Sequence, residues 1–311
     1  MNYFNIYIYI SIMEIEKKGA IKYGDLIILY EGGDSIKYFT LEKGKAFQNR
    51  FGAFKHDDMV GKNFGSRIFN MKKDKYVTIL SFVPNIWERC INKMTQILFN
   101  PDISMIMTLL NITQSSIIYE SGTGSGCLST NMSSIFSNGH LYTFEFNKER
   151  AEKLKEVFKL LKLDKSVTVT HRDVVENGFD MKEEDLVQSS HKKCDGMFID
   201  LPNPWMAIKH AKRVLKNGAN FVSFSPCIEQ ISETMKAMKE NGFISIRMFE
   251  CMYRTYAFAR TVKVEVPQYA AKRKFGEEIK YNQSEINVTK NKCDMRGHTG
   301  FLIYGINTTN E

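Results

Sequence analysis

From about residue 112 onward, two hydrophobic periods take turns along the chain. Short apolar runs read as buried strands at Ser116–Glu120, Leu141–Phe146, Val167–His171, Gly196–Leu201 and Asn220–Ser225. Between them apolar positions recur at three and four residues, which predicts helices over Gly126–Ser137, Lys148–Leu161, Trp205–Leu215 and Glu229–Asn241. A further helix is expected from Thr95 through Leu110, a long strand from Ile244 to about Tyr256, and a closing strand over Gly300–Ile306. Such alternation predicts an α/β domain with a mostly parallel sheet covered on both faces by helices. Residues 21–80 are patterned differently. Apolar runs at Ile27–Tyr30 and Val77–Val83 are separated by turn signals such as Glu31-Gly-Gly-Asp34 and Phe51-Gly52, and no helical period survives between the glycines. The expected organisation is an extension over 1–20, a small β-domain over 21–84, and the α/β domain over 85–311. Residues 265–297, charged and polar around Lys272-Arg-Lys274, are expected to form a loop insert.

Composition narrows this only slightly. The apolar share, 43%, suffices for a packed core, and 25% charged residues is an ordinary globular value. The net charge of +8 favours a polyanionic partner without naming one. Six scattered cysteines contain no C-x-x-C pair, so neither a zinc site nor a disulfide framework is expected; no metal and reduced thiols are. Met1–Met13 is apolar and aromatic but lacks a basic start and a small-residue cleavage site, and it is too short to span a bilayer. It reads as an extension with a start at Met1 or Met13, and no membrane segment is expected elsewhere.

The strand Ser116–Glu120 runs directly into Glu120-Ser-Gly-Thr-Gly-Ser-Gly126, and a helix follows. Glycines at this point let the backbone turn tightly and approach a ligand, at the strand end where open α/β sheets bind ligands. Dinucleotide folds want G-x-G-x-x-G with a phosphate at the helix start. Here Gly122, Gly124 and Gly126 follow the spacing G-x-G-x-G behind an acidic residue. This form resembles motif I of the class I S-adenosylmethionine methyltransferases. Glu145 ends the second strand, where a carboxylate can accept ribose hydroxyls, and Asp173 ends the third, where the resemblance implies a contact to the adenine amino group. The bland alternative is a tight turn with solvated acidic strand ends.

The fourth strand ends Asp200-Leu-Pro-Asn-Pro-Trp205, a D-x-P-x-P-W run that gives a rigid wall beside a transferred methyl group. With Thr95-Gln-Ile-Leu98, Gly139–Glu145, Arg150–Lys153, Ser223–Gln230, Gln48–Gly52, Gly61–Ser66 and Gly297–Phe301, it makes the resemblance specific over about residues 20–305. The chain resembles the catalytic subunits of the tRNA (adenine-N1)-methyltransferases that modify position 58 in the T-loop, and Cys227-Ile-Glu-Gln230 is similar to the eukaryotic branch. The family usually has a basic pair before Thr-Gln-Ile; here Asn92-Lys93-Met94 stands there, and a contact to tRNA is expected to be lost or moved. Asn203 departs from the usual small or acidic residue.

The resemblance implies a Rossmann-like class I methyltransferase sheet and S-adenosyl-L-methionine as cofactor. It implies cofactor contacts from Leu98, from Glu120, Gly122, Gly124, Ser125 and Gly126, and from Cys127, Leu128 and Ser129 at the helix start. Glu145 and Arg150 are implied beyond the second strand, Asp173 and Val174 beyond the third, and Asp200 beyond the fourth. Substrate contacts are implied for Gln96, Ile97 and Phe99, for Ser121, for Leu201, Pro202 and Pro204, for Ser223, Ser225, Pro226 and Glu229, and for His298. Asp200 is the candidate catalytic residue. The implied partners are tRNA and a related non-catalytic subunit in a heterotetramer, or copies of the same chain in a prokaryotic type. The eukaryotic form implies a nuclear location, and otherwise a cytoplasmic one. Two rival readings are a non-catalytic RNA-binding subunit, which would be expected to lose the glycine loop and Asp200, and a methyltransferase for small molecules or proteins, which would not need the β-domain.

Overall fold

The computed structural model describes residues 19–32, 35–252, 254, 256–265, 282–291 and 299–308. In the amino-terminal part, short apolar runs between turns build antiparallel strands, and Ile27, Ile28 and Leu29 are all buried in the first of them. Strands β1 (Leu26–Gly32), β2 (Ser35–Thr40), β5 (Arg67–Phe69) and β6 (Tyr76–Leu80) form a sheet ordered β2-β1-β6-β5, and β3 (Ala46–Asn49) pairs with β4 (Gly52–Lys55). Ile27, Leu29, Phe54, Ile68, Val77 and Ile79 point to one shared core, while Arg67, Phe69 and Tyr76 face outward. Helix α1 (Pro84–Cys90) follows, with Pro84 in its first turn, where the missing N–H costs nothing. Its buried Trp87 packs on Tyr38 of β2, with ring centroids 4.7 Å apart.

The expected helix over Thr95–Leu110 is shorter. Helix α2 covers Asn100–Leu109. Pro101 sits in its first turn, and a proline there cannot continue a helix toward Thr95, because its ring would meet the preceding turn and no N–H is available. Thr95–Phe99 is therefore free to act as a loop.

The principal sheet is built from β7 (Ile117–Ser121), β8 (His140–Glu145), β9 (Val167–His171), β10 (Cys194–Ile199), β11 (Leu215–Ser225), β12 (Ile244–Glu250) and β15 (Phe301–Ile306), in the order β12-β15-β11-β10-β7-β8-β9. The pairs β7–β8, β8–β9, β7–β10 and β10–β11 are parallel, and β15 runs antiparallel to β11. Helices α3 (Cys127–Ser133), α4 (Lys148–Leu160), α5 (Val174–Asn177), α6 (Ile208–Val214) and α7 (Ile228–Glu240) join these strands. A core of Tyr119, Tyr142, Phe144, Met197, Ile199 and Phe221 fills one face. From β7 the chain moves through β8 to β9, then returns to the other side of β7 with β10. The strand order thus reverses between β7 and β10, the switch point at which such sheets take ligands.

Residues Glu250–Gly300 form a separate compact unit. Strands β13 (Tyr256–Glu265) and β14 (Asn282–Asn291) pair antiparallel over their full length. The long strand expected from Ile244 to about Tyr256 ends at Glu250, with β13 starting at Tyr256, and β14 lies inside the stretch expected to be a charged loop. In Asn282–Asn291 the aliphatic residues are Ile286 and Val288, too few to raise the apolar signal, yet a two-stranded ladder satisfies its backbone without a large apolar surplus. Residues 1–18 and His298 lie outside the described residues, as does most of 265–297 beyond β14.

Candidate active site

The carboxyl ends of β7 to β10 carry one acid each: Glu120, Glu145, Asp173 and Asp200. The parallel register sets them side by side, with Glu120 level with Thr143 in β8 and with Phe198 in β10.

The loop after β7 is held almost entirely by protein. Glu120 is buried, and the Ser129 hydroxyl of α3 donates to its Oε2 at 2.5 Å. Burial, with the charges of Asp200 and Glu145 adding to it, pushes its carboxyl up to about 7. Gly122 has φ +88°, and a Cβ there would stand 2.0 Å from the Asp200 carbonyl oxygen. The two strand ends touch as backbones: Asp200 N–H donates to Ser121 O at 2.9 Å. Gly124 has φ +58°, and its Cβ would meet Thr95 Oγ1 at 2.8 Å. Thr95 is close because Ser125 Oγ accepts the N–H groups of Met94 (2.9 Å) and Thr95 (3.0 Å). The segment before α2 is thereby pinned across the glycine loop.

Glu145 is buried and accepts three donors: Gly124 N–H at 3.1 Å, Asn147 N–H at 2.9 Å and the Arg150 guanidinium at 2.6 Å. Sequence expectation placed Glu145 at a ribose and Arg150 among the cofactor contacts; the structure shows Glu145 holding the glycine loop through Gly124 N–H and Arg150 bracing Glu145. Phe146, the next residue, is 68% exposed and offers an apolar face beside that carboxylate. Asp173 caps α5 through Oδ1, accepting from Val175 N–H at 2.9 Å and Glu176 N–H at 3.3 Å; among the described residues Oδ1 carries both of its hydrogen bonds. Val174 is core.

The opposite half is built from β10 and β11. Asp200 keeps part of its surface open, yet protein surrounds it closely enough that lost solvation pushes its carboxyl up to about 7. Pro202 O accepts from Gln230 Nε2 at 2.8 Å, while Gln230 Oε1 accepts Cys227 N–H at 3.2 Å, so the start of α7 clamps the proline loop. Leu201 is half-buried, Pro202 exposed and Pro204 buried. Ser223 and Ser225 alternate onto one face of β11 and are wholly buried, and neither hydroxyl has a hydrogen-bond partner among the described residues. Ser223 is level with Ile199, the residue before Asp200. Pro226 and Glu229 are exposed beyond them.

Not every expected side chain reaches open space. Cys127, Leu128 and Ser129 are buried in α3; the Cys127 thiol is pushed up to about 12 by burial, and the Ser129 hydroxyl is committed to Glu120. Gln96 is exposed, Ile97 buried, and Leu98 and Phe99 half-buried in the pinned segment. His298 lies outside the described residues. Thr95 and Gln230, quoted only as parts of motifs, and Phe146 had no site role in the sequence reading. The first two act through contacts about thirty residues away, which no local pattern reveals; an aromatic directly after an acidic strand end was a usable signal for the third.

The family model of the tRNA methyltransferase complex GCD14 subunit matches residues 75–307, and a TrmI-like N-terminal model matches residues 18–68. The chain belongs to the GCD14 family. It is 38% identical over 237 residues to the tRNA (adenine(58)-N(1))-methyltransferase catalytic subunit of Dictyostelium discoideum, covering 76% of this chain and 74% of that one. Among solved structures it superposes on an S-adenosylmethionine-dependent O-methyltransferase from Thermotoga maritima (TM-score 0.75, 24% identity, 94% of this chain and 96% of that one). It also superposes on the tRNA (m1A58) methyltransferase of Aquifex aeolicus (TM-score 0.69, 18% identity, 94% and 100%). The fold is that of the class I methyltransferases with a small antiparallel amino-terminal sheet.

The donor set agrees with this family. Hydrogen-bond acceptors at four strand ends match poorly with the pyrophosphate of a dinucleotide, which needs donors. They suit a ligand with a cationic sulfur, an ammonium group, ribose hydroxyls and an adenine amine. The residues present therefore fit S-adenosylmethionine.

Proposed function

We propose that this chain transfers the methyl group of S-adenosylmethionine to N1 of adenine 58 in the T-loop of tRNA, as the catalytic subunit of a complex with a related partner. Family membership and the catalytic-subunit relatives support the reaction. The observation that carries the site is the backbone lock between Ser121 and Asp200, which sets the glycine loop and the acidic proline loop against each other. A non-catalytic subunit has no need of that lock with both motifs intact.

When bound, S-adenosylmethionine supplies an electrophilic methyl on a cationic sulfur. Glu145 and Asp173 would hold its ribose and adenine, and Gly122–Gly126 its methionine part. Adenine N1 carries its own lone pair at neutral pH, so no residue has to remove a proton before attack. The work left to the protein is alignment and stabilisation of the positive charge that develops on the base. Asp200 as carboxylate accepts the N6 amino hydrogens and offsets that charge in a poorly solvated place, where such interactions are strongest. Adenine 58 must leave its stack to reach Asp200, at a cost of a few kcal/mol. The rigid Pro202–Pro204 wall, clamped by Gln230, would receive it.

The partner subunit's seat is proposed at the outer edge of the principal sheet. Edge strand β12, without a second neighbour among the described residues, leaves Ile244 and Met248 exposed, and such an edge invites a second chain.

The test is incubation of the chain with its partner, S-adenosylmethionine and unmodified tRNA, followed by nucleoside mass spectrometry and mapping of reverse-transcription stops. N1-methyladenosine at position 58 is expected. Its absence with the partner present, or its appearance elsewhere, would overturn the reading.

A further inference from the structure

The outward face of the small sheet carries side chains that its own fold does not use. In β5 and β6, Ile68 and Val77 fill the core, while Phe69 and its cross-strand partner Tyr76 face solvent at 51% and 45% exposure. Their ring centroids lie 5.9 Å apart. Arg67 lays its guanidinium over the Tyr76 ring at 4.5 Å. The turn joining the two strands, Asn70-Met-Lys-Lys-Asp-Lys75, adds exposed Lys72, Lys73 and Lys75. Across residues 67–76 there are four basic side chains and one acidic. An exposed aromatic pair on an edge hairpin is an aggregation hazard unless it serves contact.

The turn is built to hold one shape. Asn70 is buried at its base. Its Oδ1 accepts Asp74 N–H at 3.1 Å and Lys75 N–H at 3.4 Å, and its Nδ2 donates to Asp74 Oδ1 at 2.7 Å. The same amide nitrogen donates to Phe51 O at 2.6 Å, and Met71 N–H donates to Ala53 O at 3.0 Å, which ties this tip to the β3–β4 turn. That second turn brings exposed Arg50, stacked over Phe51 at 4.8 Å. The acidic residue is thus turned into the loop's own bracing while the lysines stay outside. A surface held rigid in this way loses little freedom on binding.

We propose that the tip of the β5–β6 hairpin is an RNA-binding surface separate from the methyl-transfer site. An unpaired base of the tRNA stacks on Phe69 and Tyr76, and Lys72, Lys73 and Lys75 hold the flanking phosphates. The chemistry matches single-stranded RNA recognition: aromatic faces take bases, an arginine supports the ring, and lysines neutralise the backbone. Charge complementarity favours RNA over a protein partner, because lysine is depleted from the centres of protein–protein interfaces. The inference rests on tRNA being the substrate and adds where else the tRNA is gripped.

The test compares the intact two-subunit complex with two variants, Phe69→Ser/Tyr76→Ser and Lys72→Gln/Lys73→Gln/Lys75→Gln. A third, Lys72→Arg/Lys73→Arg/Lys75→Arg, keeps the charge. For the first two, KM for tRNA is expected to rise about tenfold, since a stacked base contributes on that order, with kcat within about twofold. The lysine-to-glutamine variant should flatten the dependence of log affinity on log salt by about two units, at 0.7–0.9 per phosphate released; the arginine variant should keep the original slope. Fluorescence anisotropy with labelled tRNA gives the slope without turnover. Unchanged KM and slope overturn the proposal, and so does loss of the partner subunit from the variant complexes, which would make the hairpin a protein contact. Failure of the unaltered complex to methylate tRNA would count instead against the substrate reading, and anisotropy would still decide the hairpin.

Discussion

The loop after β7 and the loop after β10 lie against each other at the switch point, and they treat their polar groups in opposite ways. In the first, Glu120, Ser125, Ser129 and Glu145 are all hydrogen-bonded within the protein. In the second, Asp200 has lost much of its solvation, and in the neighbouring strand β11 the buried hydroxyls of Ser223 and Ser225 find no partner among the described residues. The first half is settled before any ligand arrives, which is what holding a cofactor in one pose requires. The second half keeps Asp200 where burial disfavours its charge, a cost that a base with developing positive charge would offset. The contrast supports the proposed division, with the cofactor held by the first half and the base received at the second.

The largest expected effect follows from removing the charge. Asp200→Ala should lower kcat/KM for tRNA by about 10² to 10³, the range for loss of one group aimed at developing charge. Cofactor affinity, read by calorimetry, should stay within about threefold. Near-full turnover would erase the distinction between the halves.

A second prediction separates them by pH. Burial raises the Asp200 carboxyl from 3.8 to about 7. Above pH 7 the folded protein must hold it ionised in a site that favours the neutral form, which costs at most about 4 kcal/mol at 1.36 kcal/mol per unit. As pH falls through 7 toward 4 the folded state takes up the proton first and this cost disappears. Asp200→Asn should therefore melt higher than the parent chain at pH 8, by about 2–4 °C per kcal/mol relieved, with the gap closing by pH 5. In the parent enzyme kcat/KM should rise with pH up to about 7, because the carboxylate is the useful form. Scanning calorimetry at the two pH values checks the first part, and a parallel melting curve at both would refute it.

The third prediction couples the halves. Gly122→Ala puts a Cβ 2.0 Å from the Asp200 carbonyl oxygen, at φ +88°. Backbone cannot swing away as a side chain would, so about 2 kcal/mol or more of stability should go, with cofactor binding and turnover falling together. Gly61→Ala, at φ +79° with nothing within 4 Å of the new Cβ, is the control and should cost only the backbone strain, about 1–2 kcal/mol.

How much of this was readable in advance follows from the range of each interaction. Strand ends, glycine spacing and the acids Glu120, Glu145, Asp173 and Asp200 are local patterns, and the parallel register brings together what the order of motifs implied. The helix start at Asn100 was also legible through Pro101, although apolar periodicity masked it. Thr95 against Ser125 and Gln230 against Pro202 join residues about thirty apart, and no spacing rule reaches them. Strand β14 hid in a polar stretch because a hairpin ladder is held by backbone groups that every sequence possesses. That the hydroxyls of Ser223 and Ser225 find no partner among the described residues was unreadable, since it depends on what the fold places beside them.

That last point supplies the smallest and most discriminating test. Ser129→Ala and Ser223→Ala each remove one buried hydroxyl, one from either half. The Ser129 hydroxyl satisfies a buried carboxyl, so its loss leaves Glu120 short of a donor and should cost about 1–3 kcal/mol. The Ser223 hydroxyl satisfies nothing within the described residues, so its loss should leave stability unchanged within about 0.5 kcal/mol, or raise it, as removal of an unmet polar group does. In chemical denaturation the two curves should separate by their midpoints with a common slope. Turnover should order them differently, with Ser223→Ala raising KM for tRNA or cofactor despite its intact stability. Equal stability losses for both would mean that Ser223 is as firmly bonded as Ser129, and the contrast between a settled half and an unsettled half would fail at its smallest element.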